Sequence, residues 1–354
     1  PEVDILLGVK DRARLPESLA AGEYGPSRER GCGIAGRILF TPPHIAYIKI
    51  AEGCSNRCAY CLIPEIRGEL RSRDACDVET EAEALASAGV RELVVIAQDT
   101  TAWSSDMPPG GRKTGVHDIY ALLESMSNTA PPWMRLQYLH PARIDQGRLI
   151  DLAARGVILP YLDIPVQHAS DPILDRMGRG YRLDDLRRIF AELRTSDVGF
   201  VLRTTVMVGF PGETDRDYRV LVDFLEEVSF DHVGIFEFSP ERGTSAAGFD
   251  GIVPDEIKIG RRDALVELQM DISHERLGAR VGRSETILVD GRLDESERPS
   301  PEIWGVGRFY GQSYEIDGVT YLSGREVPRG RFASGRVIEA EAYDLFAEIE
   351  RDLG

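Results

Sequence analysis

From residue 44 onward, apolar positions fall into two alternating rhythms. Residues 44–51 are apolar and β-branched and predict a strand, whereas 77–88 carry the three-and-four spacing of a helix that Gly89 stops. The alternation continues with strands at 92–97, 133–139, 161–166, 199–208 and 232–238. Between them helical spacing runs through 116–126, 146–155, the stretch up to about 196, and 214–228. Six strands alternating with helices imply repeated βα units on a parallel sheet, an α/β fold of the partial (β/α)6, TIM-like kind. In such folds the chemistry gathers at the C-terminal ends of the strands.

The rhythm is different at both ends. Residues 1–43 are poorly patterned and broken by Pro26, Gly31, Gly33, Pro42 and Pro43, which predicts a connector. Residues 254–282 read as one long helix trailing the barrel. From 283 to 354 the segments are short, β-rich and punctuated by Gly and Pro (286–289, 319–322, 336–338), as in a small all-β barrel. The expected organisation is therefore a connector (1–43), a barrel with its trailing helix (44–282) and a small β domain (283–354).

Composition narrows the setting. The longest apolar runs, such as 93–97, are strand-length in a chain of 42% hydrophobic residues, far short of the roughly 20 residues of a membrane span. No charged-then-apolar leader opens the chain, and a cytoplasmic protein is expected. Five cysteines, three of them clustered, do not suggest a secreted disulfide framework. The net charge of −17, from 59 acidic and 42 basic residues, opposes nonspecific nucleic-acid binding. It suits a basic protein partner, or simple solubility.

The strongest chemical signal is the run Glu52-Gly53-Cys54-Ser55-Asn56-Arg57-Cys58-Ala59-Tyr60-Cys61, which follows the first strand. Three thiols are one short of a closed tetrahedral set, so an iron–sulfur cluster held by Cys54, Cys58 and Cys61 keeps one iron open. A zinc site with Cys76 as fourth ligand is the alternative. Cys32 and Cys76 otherwise read as ordinary thiols.

Cys-xxx-Cys-x-Tyr-Cys at the end of a first barrel strand resembles the signature of radical S-adenosylmethionine enzymes. The resemblance implies a [4Fe-4S] cluster on Cys54, Cys58 and Cys61 whose open iron binds the amine and carboxylate of S-adenosylmethionine. One-electron cleavage then gives methionine and a 5′-deoxyadenosyl radical, with an external electron donor. Further runs narrow the resemblance: residues 63–73, Gln98-Asp99-Thr100-Thr101, Pro165-Val166-Gln167-His168-Ala169-Ser170, Met177-Gly178-Arg179-Gly180-Tyr181, and residues 203–214 around Gly209-Phe210-Pro211-Gly212. Together they resemble the methylthiotransferases of that superfamily, over most of residues 40–250. The C-terminal β domain resembles the TRAM domain that ends them.

Candidate site residues follow. Tyr60, Gln98, Gln167, Arg203, Gly209 and Phe210 are expected at the cofactor. Gln98, at the end of the second strand, is expected at the methionyl moiety and Gln167, at the end of the fourth, at the ribose. Gly209 and Gly212 offer backbone that a nucleotide can approach, or an ordinary strand-to-helix turn. Arg203, inside a strand, needs a partner: either the methionyl carboxylate held by its planar fork or a structural ion pair. His168 reads equally as a site residue or a satisfied core histidine. Arg67, Arg71 and Arg73 are either solvated or a clamp for an acidic substrate, and Lys49 is a buried amine with a partner.

The tail distinguishes two branches of the family. Residues 314–321 and 341–345 resemble the branch that modifies the β-carbon of an aspartate in a basic ribosomal protein of the small subunit, S-twelve. The other branch modifies adenosine in transfer RNA. Residues 283–354 hold fifteen acidic and nine basic residues, unlike a domain that grips RNA. Two departures stand out. Family tails usually carry Gly-Arg-Ser or Gly-Arg-Thr before the acidic stretch, whereas Gly307-Arg308 here precede Phe309-Tyr310-Gly311. The family's N-terminal domain, with three further cysteines for a second [4Fe-4S] cluster, has no match. Pro1-Glu2-Val3-Asp4 resembles only its far end, so the chain is expected to hold the radical and partner-binding parts alone.

Overall fold

The computed structural model describes residues 39–108 and 115–354. Most of the expected connector, including Cys32 and the Pro1-Glu2-Val3-Asp4 run, lies outside the described residues. Strand β1 (Ile45–Lys49) leads into the two-residue β2 (Ala51–Glu52), which pairs antiparallel with β3 (Arg71–Ser72) across the short helix α1 (Ile63–Arg67). The alternation then runs α2 (Ala75–Ser87), β4 (Glu92–Ile96), α3 (Ile119–Met126), β5 (Trp133–Leu136), α4 (Gln146–Ala154), β6 (Tyr161–Asp163), α5 (Asp171–Met177), α6 (Leu183–Thr195), β7 (Val201–Val208), α7 (Asp215–Val228), β8 (His232–Glu237) and α8 (Asp255–Gly278). Helix starts are set by side chains that accept the free N–H groups of the first turn: Asp74 for α2, Asp118 for α3, Asp145 for α4 and Thr214 for α7.

Six strands form one parallel sheet in the order β1-β4-β5-β6-β7-β8. The expected βα alternation is thus the observed one. Strands β5 and β6 stop earlier than their apolar runs, which extend to 139 and 166. Tyr138, two residues after β5, takes a left-handed conformation with φ of 62°, which an extended strand does not tolerate; beyond β6, Gln167, with φ of 67°, keeps a single parallel bridge to Val206. The main core lies between the sheet and its covering helices, with Leu93, Val95, Leu136, Leu162, Leu202 and Val206 meeting Leu122, Leu152, Phe190, Leu221 and Phe224.

The C-terminal domain is a closed five-stranded barrel built from β9 (Ser284–Arg292), β10 (Gly305–Phe309), β11 (Thr320–Gly324), β12 (Phe332–Ala340) and β13 (Leu345–Asp352), in the order β10-β11-β13-β12-β9. Closure leaves no free strand edge. Its own core is small, centred on Ile287, Val289, Leu322, Ala347 and Ile349.

Residues 310–317, the connection after β10, join the two domains. Arg135 on β5 donates to the carbonyls of Tyr310 (2.8 Å) and Gln312 (3.2 Å). Gln137 donates to Ser313 Oγ at 2.8 Å, and His232 at the start of β8 bonds the carbonyl of Gly311 at 2.9 Å. Tyr161 on β6 donates to Asp317 Oδ2 at 2.8 Å, and Arg203 on β7 to Oδ1 at 2.6 Å. Tyr47 on β1 reaches the carbonyl of Tyr314 at 3.4 Å. Side chains from β1 and β8, at opposite edges of the six-stranded sheet, meet carbonyls only three positions apart, those of Tyr314 and Gly311, as they do when a sheet curls around the segment between them. The sheet is therefore the wall of a partial barrel, and the 310–317 segment closes its foot. Arg308 strengthens the joint: buried, it donates to Glu92 Oε2 (2.6 Å) and Asp290 Oδ2 (2.7 Å). The Gly307-Arg308-Phe309-Tyr310 departure thus sits in the contact between the domains.

Candidate radical and cofactor site

The three cysteines stand on the loop after β2, between two cavities. One, of about 160 Å³, is lined by Cys54, Cys58, Cys61, Asn56, Tyr60, Gln98, Tyr138, His140, Gln167 and Arg179, among others. The other, of about 490 Å³ on the far side of the loop, is lined by the same thiols with Glu65, Glu69 and residues 243–245. Burial pushes the thiols of Cys54 and Cys61 up, so thiolates there call for a positive centre, as a metal cluster would provide. The sulfur donor set and the half-buried loop fit an iron–sulfur cluster. Cys76 is exposed, lines neither cavity, and starts α2 with its N–H bonded to Asp74. Among the described residues no three His, Cys, Asp or Glu side chains gather closely enough to hold a single metal ion.

Two of the expected amides line the smaller cavity. Gln98 follows β4, and its Oε1 is buried without a hydrogen-bond partner. Gln167 follows β6, where its N–H donates to Thr205 O and its own carbonyl accepts from Met207, both at 2.8 Å. That pinning to β7 sustains the φ of 67° and aims the residue at the cavity. A strained residue of this kind costs on the order of 1–3 kcal/mol. Tyr138, with φ of 62° and 41% exposure, is its counterpart after β5.

The Met177-Gly178-Arg179-Gly180-Tyr181 run, which the sequence singled out without a chemical role, cradles the cysteine loop. Met177 O accepts the Ala59 N–H at 2.9 Å. Gly178 has φ of 72°, which strains any side chain, and a Cβ there would lie 3.0 Å from Arg57 O, a tight contact. Arg179 is buried. Its Nε donates to Tyr181 Oη at 2.7 Å, Nη2 to Pro165 O at 2.9 Å, and Nη1 lies 3.3 Å from both Cys58 Sγ and Tyr60 Oη. Burial raises the phenol pKa of Tyr60, and pushes that of Tyr181 up to about 12; both phenols stay neutral. His140 is pushed down to about 3 by burial and by the Arg179 charge, and its Nδ1 accepts the Ala142 N–H. At the rim, Asp99 Oδ2 accepts from Asn56 (2.8 Å) and Arg143 (2.7 Å). Arg179, Tyr138, His140 and the Asn56–Asp99–Arg143 triplet were not singled out as site residues. The cysteine, Asp99 and Arg179 runs carried a hint of three of them.

The structure places the remaining candidates elsewhere. Arg203 is engaged by Asp317, with Asp163 at 3.9 Å, the ion-pair alternative of the sequence reading. The missing Cβ of Gly209 faces Lys258 rather than the cavity, and Phe210 is buried against Ala59, Ile173, Met177 and Phe238. Both N–H groups of the 209–210 turn donate to Glu213 Oε2. His168 is fully buried; its Nδ1 accepts from Ala169 and Ser170, and Nε2 lies 3.6 Å from Glu213. Lys49 and Arg67 both pair with Glu52, Arg73 pairs with Glu81, and Arg71 is exposed on β3.

An open parallel sheet carrying three thiols beyond its first strand, closed at the foot by a small β-barrel, has clear relatives. Residues 48–225 match the Radical SAM superfamily and residues 281–349 the TRAM domain, so the class is that of the radical S-adenosylmethionine enzymes. The chain is 38% identical over 363 residues to the ribosomal protein uS12 methylthiotransferase RimO of Desulfosudis oleivorans, covering 99% of this chain and 79% of that one. It is 41% identical over 313 residues to the RimO of an Anaeromyxobacter species, covering 88% and 64%, and 42% identical over 314 residues to that of Pelotomaculum thermopropionicum, covering 88% and 68%. The chain belongs to the RimO methylthiotransferase family, whose members are transferases.

Proposed function

We propose that this chain is the radical-generating and C-terminal part of an enzyme that adds a methylthio group to the β-carbon of an aspartate in the small-subunit ribosomal protein uS12. The observation that carries the reading is the convergence of Cys54, Cys58 and Cys61 with Gln98 and Gln167 on one cavity beyond the strand ends. In this reading the three thiols hold a [4Fe-4S] cluster, which when bound supplies the electron for reductive cleavage of S-adenosylmethionine. Tyr60 flanks the cluster. Gln98, with its unpartnered oxygen, receives the methionyl amine, and Gln167 receives the ribose. Arg203, Gly209 and Phe210 serve from outside the cavity, tying down the barrel wall and the turn behind Tyr60.

The acidic balance of the C-terminal barrel, fifteen carboxylates to nine arginines, suits a basic ribosomal protein better than transfer RNA. A ribosomal substrate places the enzyme in the cytoplasm, beside a reductant protein that supplies electrons; no helix among the described residues is long and apolar enough to cross a membrane. The sulfur comes, in this reading, from a second cluster carried outside this chain.

The test is anaerobic reconstitution of the chain with iron and sulfide, followed by incubation with S-adenosylmethionine, dithionite and either purified uS12 or transfer RNA. The expected result is four irons per chain, formation of 5′-deoxyadenosine, and association with uS12 but not with transfer RNA. Methylthiolation of uS12 is expected only when the second cluster domain is supplied. A chain that binds transfer RNA in a salt-sensitive complex and ignores uS12 displaces the substrate assignment. A chain that takes up no iron displaces the whole reading.

A further inference from the structure

We propose that Arg179 sets the reduction potential of the site, by donating a charged hydrogen bond to the sulfur of Cys58. The inference rests on the reading of Cys54, Cys58 and Cys61 as cluster ligands. It concerns a residue whose side chain reaches the thiol from the run after α5, more than a hundred positions along the chain.

Geometry carries the argument. Arg179 has three edges, and all are used. Nε is fixed by Tyr181 Oη at 2.7 Å, and that phenol donates onward to Val166 O at 2.8 Å. Nη2 is fixed by Pro165 O at 2.9 Å. With two edges tied to the backbone around β6, the third points Nη1 at Cys58 Sγ, 3.3 Å away, and at Tyr60 Oη, also at 3.3 Å. The loop that bears the arginine is itself locked to the cysteine loop through Met177 O and the bare face of Gly178. Sulfur and guanidinium therefore keep their distance as one rigid unit, the guanidinium 7% exposed and the thiol half-buried.

A guanidinium is always charged. A hydrogen bond from it to a ligand sulfur withdraws electron density from the metal centre, and its positive charge favours the more negative, reduced form. Both effects move the potential upward, toward the reach of a biological donor. Cys54 and Cys61 receive no such side-chain donor among the described contacts; Cys61 Sγ accepts only the backbone N–H of Ile63, at 3.4 Å. The hydrogen bond is thus specific to one of the three ligands, while the Arg179 charge is also felt at Cys61. Arg179 is a positioning residue in this account, since it acts on the reacting centre through Cys58.

The test uses the full chain, reconstituted anaerobically, in four forms: wild type, Arg179→Met, Arg179→Lys and Arg182→Gln. Arg182 is 58% exposed and pairs with Asp171 and Asp175, so its variant controls for loss of charge alone. Midpoint potentials are read by electron paramagnetic resonance during redox titration, and melting of the apo chain is followed separately by circular dichroism. The expected result is a more negative potential in Arg179→Met, a smaller negative shift in Arg179→Lys, which keeps the charge but loses the fork, and no shift in Arg182→Gln. If Arg179→Met holds no iron, Arg179→Lys decides alone. A wild-type potential in Arg179→Lys, or in a loaded Arg179→Met, overturns the proposal and leaves Arg179 a brace whose loss shows only in the melt. A wild-type chain without iron overturns the cluster reading itself, a separate and distinguishable failure.

Discussion

Arg203 Nη1 donates to Asp317 Oδ1 at 2.6 Å, across 114 positions of sequence. The arginine belongs to the seventh strand and the aspartate to the segment that closes the foot of the partial barrel. Asp317 also accepts from Tyr161 Oη (2.8 Å) and the Ser313 N–H (2.9 Å), and His232 lies 3.7 Å away. The carboxylate is fully buried, so its neighbours replace water. Removing it takes the close partner from Arg203 and leaves only Asp163, 3.9 Å away, to balance its charge inside the wall. Asp317→Ala is expected to cost about 3–5 kcal/mol, read as a lower urea midpoint. A loss under 1 kcal/mol would show that the two domains are held by something else.

The same residue makes a pH prediction. Burial alone raises the Asp317 pKa, but His232, Arg203, the Ser313 N–H and the Tyr161 hydroxyl outweigh it and hold the carboxyl below the usual carboxylate range. Asp163, four residues before Gln167 and 3.9 Å from Arg203, goes the other way: burial pushes it up to about 6, and Arg203 offsets only part of that. The signs follow from linkage. A lowered folded pKa gives stability that is present at neutral pH and lost as pH falls below the unfolded value. A raised one gives stability that is full below the unfolded value and lost as pH rises through about 6. Asp163→Asn removes the second dependence. It is expected to leave stability unchanged at pH 4 and to add about 1–3 kcal/mol at pH 8, measured by urea unfolding at both values. Equal gains at both would show that packing, and not ionisation, is responsible.

The elements were legible in the sequence because their signals are local. Apolar runs of strand length, helical spacing, and Gly89 after α2 each act over a few residues. The cysteine triplet was legible for the same reason, as were Gln98 and Gln167, which immediately follow apolar runs. Arg203 was legible as a charge needing a partner, but not which partner, since Asp317 is remote in sequence. Strand β10 was hidden by its two glycines and by Arg308, whose burial depends on Glu92 and Asp290 from other elements. Arg179 was hidden because hydrogen bonds to a distant thiol leave no periodic trace.

Gly209 tests the turn that the sequence offered as a nucleotide approach. Its φ of 72° is open to glycine, and an added Cβ would sit 2.3 Å from Lys258 Cγ and 2.9 Å from Cδ. Lys258 cannot swing aside freely, because its Nζ is held by Phe238 O (3.3 Å) and Asp255 (2.9 Å). Gly209→Ala is therefore expected to destabilise by about 1–3 kcal/mol, from backbone strain and the clash together. Trimming the neighbour in Lys258→Ala should return the clash part, so the double variant should be less damaged than the two single effects summed. Strict additivity would place the whole cost in the backbone.

The cysteines admit a direct test of stoichiometry and role. Cys54, Cys58 and Cys61 line both cavities beside the loop, and Cys76 lines neither. If the triplet alone holds the cluster, Cys54→Ala, Cys58→Ala and Cys61→Ala should each abolish the brown absorbance and most bound iron after reconstitution, while Cys76→Ala keeps both at wild-type level. The expectation is all-or-none, because two thiolates do not hold a four-iron cluster against chelators in solution. A zinc site completed by Cys76 makes the opposite pattern: a colourless protein with one bound zinc, lost on Cys76→Ala. Metal analysis by mass spectrometry on the same samples separates the two, and retention of iron in Cys58→Ala would remove the basis for both the triplet assignment and the role given to Arg179.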